Sequence, residues 1–303
     1  MQRSHSVFYM RYRLLAEKLD RILPYLLIAP TVVYMGFFVG YPLVQGVKLA
    51  FFDEQGRFTT ENVDYLLNSP LSKFRDALFY TLLITGIVIP VEFVLALLLA
   101  FFFNSFRFRG KNAAIYVTIL PLTISDVAAG LIWYSMLTGN GFANKLLLNL
   151  GVISEPIQFF GWQNRDMELL AIIITEVWRS TAIVFVILLA GLQMISHEYL
   201  EAAEVFGANA LQRLRYIVLP MLMPSIQAAL IIRTLFALQV FGSVWVLAGR
   251  DIPVLAGEAF YEHTQMHHTG VAALYALIIA AISLSLGALY IRFFKARYLE
   301  AGR

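Results

Sequence analysis

Five ionisable side chains, Glu92, Asp126, Glu176, Arg179 and Arg233, interrupt long apolar runs of this 303-residue sequence. In hydrocarbon each would cost roughly 2.5–3.5 kcal/mol on insertion scales, so each needs a partner or a water-filled path. The chemistry open to them is ion pairing that ties helices together or gating beside a solute, and the structural role weighs at least as much as the other. Glu176 and Arg179 stand three apart and can pair on one helix face. Glu262, His263, His267 and His268 form a second cluster, in which His263 and His267, four apart, could share a zinc ion. Thr264, however, stands where a metallopeptidase helix carries glutamate after its first histidine. Cysteine is absent, which removes disulfides, thiolate nucleophiles and cysteine-based metal sites. No Gly-x-x-x-x-Gly-Lys-Ser/Thr phosphate loop occurs either. We expect no catalytic residue and no metal in this chain.

The elements that position these groups follow from composition. The sequence is 59% hydrophobic and 14% charged, against about 25% charged in soluble domains, and its mean hydropathy is +0.71. Apolar runs of about 20 residues recur, long enough at 1.5 Å per residue to cross a hydrocarbon layer of ~30 Å. The fold class expected is all-α, a polytopic membrane protein with six transmembrane helices: Ile22–Val44, Leu78–Phe103, Ala113–Leu137, Leu169–Met194, Ser225–Leu247 and Val271–Phe294. Residues 1–21 read as a basic arm, 22–294 as the spanning domain and 295–303 as a tail. The first run is too long for a signal-peptide core and lacks a convincing exit site, so it reads as an uncleaved span.

Basic residues set the orientation. Fourteen Lys and Arg gather on the side of both termini and the 195–224 segment, and seven on the other. That excess marks the cytoplasmic side, so both termini lie inside. The net charge of +3 thus reflects topology, and no nucleic-acid partner is expected. Depth along the spans then suggests pairings. Arg179 lies about 15 Å from the outer end of its span and Asp126 about 20 Å from the inner end of its own, so the two can meet near the midplane. Arg233, about 12 Å from an inner end, and Glu92, about 21 Å from an outer end, share the inner half and can also pair.

The longest polar-rich amphipathic stretch, 198–208, lies between the fourth and fifth spans. As a helix it places Leu200, Ala203 and Gly207 on one face and Glu198, Glu201 and Glu204 on another. Small residues let another backbone approach, and acids suit a basic-rimmed protein groove better than an anionic membrane. Glu201–Ala202–Ala203, then Gly207 and Ile217–Val218–Leu219–Pro220, resemble the EAA motif of permease subunits in binding-protein-dependent ABC importers. In that family the motif is a coupling helix docked on a cytoplasmic ATPase. The resemblance carries the roles of Glu, Ala and Gly over to Glu201, Ala202, Ala203 and Gly207; Glu198, Phe206, Leu219 and Pro220 complete the candidate coupling set. Leu219–Pro220 would mark the turn into the fifth span. Phe206 stands where the family usually has Asp, so an acidic contact is either missing or replaced by apolar docking.

Leu27-Ile28-Ala29-Pro30, Tyr41-Pro42, Gly141, Asn144, Trp178 and Leu189-Ala190-Gly191-Leu192 are similar to the carbohydrate branch, the maltose/trehalose-type permeases. The C-terminus resembles the first permease of the pair in that branch. The resemblance implies a type I ABC importer permease in the cell (inner or plasma) membrane, surrounded by lipid. It also implies three kinds of protein partner: a second homologous permease, a dimer of cytoplasmic ATP-binding subunits that hold ATP and Mg, and an extracytoplasmic sugar-binding protein. This chain would bind no cofactor and perform no catalysis. The cargo implied is a sugar, a di- or oligosaccharide.

Sugars are bound by aromatic faces and by hydrogen bonds to hydroxyls. Candidates along the substrate pathway are Asp126, Trp133, Tyr134, Glu176, Arg179, Arg233, Gln239, Ser243 and Trp245, with Phe236 nearby and Gln239 and Ser243 four apart. An aromatic stripe at helical spacing is more often packing than a binding site. Other readings are an ABC permease for a non-sugar solute such as a glycerol phosphodiester or an amino acid, a secondary transporter, and an intramembrane metalloenzyme. The absence of an internal repeat argues against the second of these.

Overall fold

The computed structural model describes residues 22–293; the basic arm 1–21 and the tail 295–303 lie outside them. The chain divides into two compact units at Thr59/Thr60. The first contains α1 (Ile22–Phe51), whose most apolar window has no buried residue within the structure. This helix runs a full turn and more beyond Val44 and passes its prolines without a break, widening into a π turn at Gly36–Gly40. A continuous helix with Leu, Val, Phe and Tyr exposed all round is what lipid as solvent permits. Thr59 N–H returns to Phe51 O at 2.9 Å, and an isolated Phe52–Phe58 bridge closes the turn after α1.

The second unit contains α2 (Glu61–Asn68), α3 (Phe74–Ser105), α4 (Lys111–Ile119), α5 (Asp126–Leu137), α6 (Phe142–Asn149) and α7 (Arg165–Gln193). It continues with α8 (His197–Val205), α9 (Ala210–Ala237), α10 (Gly242–Leu247), α11 (Leu255–Thr264) and α12 (Thr269–Phe293). Among the described residues, five helices are long and apolar enough to span a bilayer, or six if the bent pair over 111–149 counts as one span. The expected second, fourth and sixth spans are α3, α7 and α12, each within a few residues of its expected ends.

α3 and α7 share the most extensive helix contact and form the spine. In lipid no hydrophobic force drives apolar helices together, so close packing of small residues must do so. At one end Ala96, Ala100, Leu188, Leu192, Leu222 and Ala229 bury against one another. Gly191 is the closest point: a Cβ there would lie 2.2 Å from Ser225 Oγ and 2.8 Å from Leu222 Cδ1, so the α7–α9 crossing requires glycine. At the other end Ile84, Val88, Ile172, Val240, Val244 and Ile252 form a second apolar cluster.

Candidate functional site

Two of the expected spans are interrupted. The third is not one helix: α4 passes through a 3-10 turn at Leu120–Thr123, and the chain restarts as α5 after a bend of 105°. The fifth ends at Ala237 and restarts at Gly242 as the short α10. Backbone without helical bonding is tolerated at membrane depth only where protein covers it or where it lines a cavity. Here the two restarts meet. Asp126, the first residue of α5, accepts the Gly242 backbone N–H on Oδ2 at 2.7 Å, while Ser125 Oγ caps α5 by accepting the Ala128 N–H at 3.3 Å. Gly130 and Gly242 make the approach possible. A Cβ on Gly130 would come within 3.1 Å of Ser243 Cα, and one on Gly242 within 2.9 Å of Val127 Cγ2.

All five intramembrane charges join one network around this meeting point. Arg179 Nη2 lies 3.2 Å from Asp126 Oδ1 and 3.2 Å from Glu176 Oε2, and Glu176 Oε1 accepts from Ser243 Oγ at 2.7 Å. Arg233 Nε donates to Glu92 Oε1 at 2.8 Å, and Ser180 Oγ contacts both the other Glu92 oxygen and the Glu176 carbonyl. Glu92, Glu176 and Arg233 are buried. Each charge has an opposite charge in contact, which offsets the desolvation that a lone ion would suffer. Beside the network opens a cavity of about 320 Å³, lined by Asp126, Arg179, Ser180, Arg233, Phe236 and Gln239 among others. Arg179 Nε and Arg233 Nη2 are enclosed without a hydrogen-bond partner.

The two pairings expected from depth are therefore present, Asp126 with Arg179 and Glu92 with Arg233. Two other expectations are corrected. Depth was counted along an unbroken third helix, whereas Asp126 begins a new one. Gln239 and Ser243 do not share a helix face: Gln239 lies in the break and lines the cavity, whereas Ser243 is buried in α10 against Glu176. Of the nine pathway candidates, Asp126, Arg179, Arg233 and Gln239 line the cavity. The aromatic candidates do not line this cavity and meet neighbouring rings. Trp133 meets Trp178 edge-on at 5.9 Å, Tyr134 packs on Phe160 at 4.7 Å, and Trp245 on Phe260 at 5.4 Å. Sequence reasoning left Ser180 unmentioned; its signal was a small hydroxyl following Arg179 in an apolar helix.

The polar stretch between α7 and α9 forms α8, opened by Ser196 Oγ accepting the Glu198 N–H at 3.3 Å. It ends in a Schellman motif: Ala208 N–H bonds Ala203 O at 2.9 Å and Gly207 N–H bonds Glu204 O at 2.9 Å. Gly207 has φ +81°, and no atom lies within 4 Å of a Cβ built there. Gly207 therefore serves as the left-handed residue that ends α8, and it does not share the helical face of Leu200 and Ala203 as expected, because the helical wheel does not extend past the cap. Leu200 and Ala203 are half-buried while Glu198, Glu201, Ala202, Val205 and Phe206 are exposed. Leu219 and Pro220 do not mark a turn. The helix runs from Ala210 straight through them, and a π turn at Leu214–Val218 precedes Pro220, where the wider winding accommodates a residue without an N–H.

Residues 66–297 match the family described as the binding-protein-dependent transport system inner membrane component. The chain belongs to this family. Among relatives of this permease, the trehalose transport system permease protein SugA of Mycobacterium tuberculosis is 31% identical over 76% of this chain and 74% of that protein. The sulfoquinovosyl glycerol transport system permease protein SmoG of Agrobacterium fabrum is 30% identical over 92% of each. A solved bacterial ABC transporter involved in import of the acidic polysaccharide alginate contains a chain that matches with a TM-score of 0.77 at 22% identity, covering 93% of this chain and 99% of that one. The last likeness concerns the fold: the permease has the architecture of ABC importer transmembrane subunits.

The histidine cluster has a packing role in this permease. Glu262 is buried on α11, and its Oε2 lies 3.0 Å from His268 Nδ1, whose ring meets Tyr65 edge-on at 5.1 Å. Nearby, Arg250 forms a two-pronged bond to Glu258 at 2.6 and 2.9 Å and stacks over Tyr261 at 3.6 Å. Burial, followed by the Glu262 charge, raises the Tyr65 phenol above its ordinary value. Among the described residues no group of three or more His, Cys, Asp or Glu is placed to hold a metal ion.

Proposed function

We propose that this chain is one of two transmembrane subunits of an ATP-driven importer for a sugar, a di- or oligosaccharide delivered by an extracytoplasmic binding protein. The observation that carries the reading is the cavity where two interrupted helices meet inside an apolar bundle, with Asp126, Arg179, Arg233 and Gln239 on its wall. Broken helices with polar walls at membrane depth are how polar solutes are accommodated between spans. Its charges are already paired with each other, which suits a neutral polyol bound by hydrogen bonds. Phe236, exposed beside Gln239, offers a ring face to sugar C–H surfaces. The names of the relatives, trehalose, lactose and sulfoquinovosyl glycerol permeases, support a glycosidic cargo.

The chain performs no covalent chemistry in this reading. A separate dimer of cytoplasmic subunits binds ATP and Mg, α8 is the contact through which it moves the bundle, and both termini of the permease are cytoplasmic. A ligand shifts such a two-state bundle only through its different affinity for the two states. A solved alginate ABC transporter in complex with a pentasaccharide-bound periplasmic protein matches this chain with a TM-score of 0.76 at 20% identity, and it supplies a precedent for the binding-protein partner. The test is co-expression with the candidate ATPase, second permease and binding protein, followed by ATPase assays across a saccharide panel. Stimulation by one saccharide class is expected. Indifference to every sugar with stimulation by a glycerol phosphodiester would overturn the sugar assignment.

A further inference from the structure

The cavity between the two interrupted helices meets only part of the charge network. Asp126 and Arg179 keep 30% and 25% of their side chains exposed, whereas those of Glu92, Glu176 and Arg233 are 3% exposed or less. Three carboxylates, Glu92, Asp126 and Glu176, stand against two guanidiniums, so the network carries a formal surplus of one negative charge. Neither guanidinium is free to answer an incoming anion. Arg233 donates to Glu92 at 2.8 Å, and Arg179 lies 3.2 Å from both Asp126 and Glu176. Their two atoms without a partner, Arg179 Nε and Arg233 Nη2, are enclosed by protein and present no donor to a solute in the cavity. The rest of the wall is uncharged, so among the described residues no third cation lines the cavity.

We propose that this cavity selects neutral saccharides and excludes those bearing a carboxylate or sulfonate, with Asp126 and Glu176 as the residues that set the preference. This rests on the importer reading above and narrows its class of cargo. A hydroxyl both donates and accepts, so it bridges Asp126 and Arg179 at the cavity wall without parting them. Gln239, whose amide has the same two capacities, and the Phe236 ring lie on the same wall. An anion only accepts. To bind, it has to take Arg179 from Asp126 or Glu176, and the displaced acid is then left in a low-dielectric site without its counter-charge. The surplus negative charge adds repulsion, so the site discriminates by a built-in clash as well as by attraction. Glu176 contributes from behind the wall, where its other oxygen accepts from Ser243 at 2.7 Å.

The test is equilibrium binding to the purified transporter, both permeases with the ATPase dimer, so that any charge supplied by the second permease enters the result. Maltose, trehalose, lactose and cellobiose are titrated by calorimetry beside the derivative of each in which a terminal hydroxymethyl group is oxidised to a carboxylate. The neutral form should bind about tenfold more tightly than its carboxylate, or better. Asp126→Asn and Glu176→Gln each relieve Arg179 of one acid and should each narrow that ratio about threefold or more. Phe236→Ala should weaken both forms alike and leave the ratio unchanged. Because the ratio is taken within one preparation, a loss of folded protein cancels from it. A carboxylate that binds as tightly as its neutral parent, or a ratio that both acid variants leave unmoved, would overturn the charge selection while the sugar reading stands. Absence of binding by every probe, neutral and acidic, would remove both.

Discussion

Asp126 Oδ2 accepts the backbone N–H of Gly242 at 2.7 Å, so the first residue of α5 closes the first turn of α10. Helix N-termini leave backbone donors unpaired and carry partial positive charge, and a carboxylate answers both needs. Arg179, 3.2 Å from the other oxygen of Asp126, ties this junction to the α7 spine. One side chain thus joins two broken spans and one continuous one at the cavity wall.

Substitutions at this junction should separate its two functions. Asp126→Asn retains an acceptor for the Gly242 N–H but loses the charge beside Arg179, and Asp126→Ala loses both. Melting of the purified transporter should fall in the order wild type, Asn, Ala. The Ala variant should lose roughly 1–3 kcal/mol, the usual cost of stranding buried polar groups. Equal melting of all three would contradict the assigned bonds.

Breaking the Glu92–Arg233 pair from one side leaves a buried charge alone. Arg233→Met should cost about 3–5 kcal/mol and reduce folded yield sharply in detergent gel filtration. The double variant Glu92→Gln with Arg233→Met should recover part of that yield, because no uncompensated ion remains.

At Gly207 the obstacle to substitution is the backbone. A left-handed residue with a Cβ costs roughly 1–2 kcal/mol, and Asn and Asp tolerate it better than β-branched residues. Uptake by Gly207→Asn should stay near wild type and that by Gly207→Val should fall several-fold. Because the left-handed φ of +81° is what limits the site, Gly207→Asp should be milder than Gly207→Val.

Gly191 is limited by space instead. Gly191→Ala forces a methyl to within 2.2 Å of Ser225 Oγ, and overpacking of this kind costs about 1–3 kcal/mol. Adding Ser225→Gly should restore part of the lost melting temperature. A neutral Gly191→Ala would show that α7 and α9 are less closely packed than described.

Hydropathy made α3, α7 and α12 legible, because a continuous apolar helix needs only length and composition. The same signal concealed the breaks at 120–125 and 238–241. Leu120, Leu122 and Ile124 are as apolar as the helices around them, and hydropathy carries no information on backbone direction. Counting rise per residue nonetheless brought Glu92 to Arg233 and Asp126 to Arg179, since buried ions of opposite sign have few other partners to find. The helical wheel misplaced Gly207 and set Gln239 beside Ser243 because it assumed helix where the chain had already turned. Composition could not place the aromatic candidates either: Trp133 and Trp245 read the same whether they face a solute or a neighbouring ring.

The central claim is that this chain conducts a saccharide in response to ATP hydrolysed elsewhere. The most direct measurement is uptake of labelled saccharide into proteoliposomes containing both permeases and the ATPase dimer, with ATP and Mg supplied at the ATPase face and the binding protein at the other. Accumulation should require ATP and the binding protein together and should vanish when the ATPase subunits are omitted. Accumulation by this chain alone under a proton or sodium gradient would contradict the account.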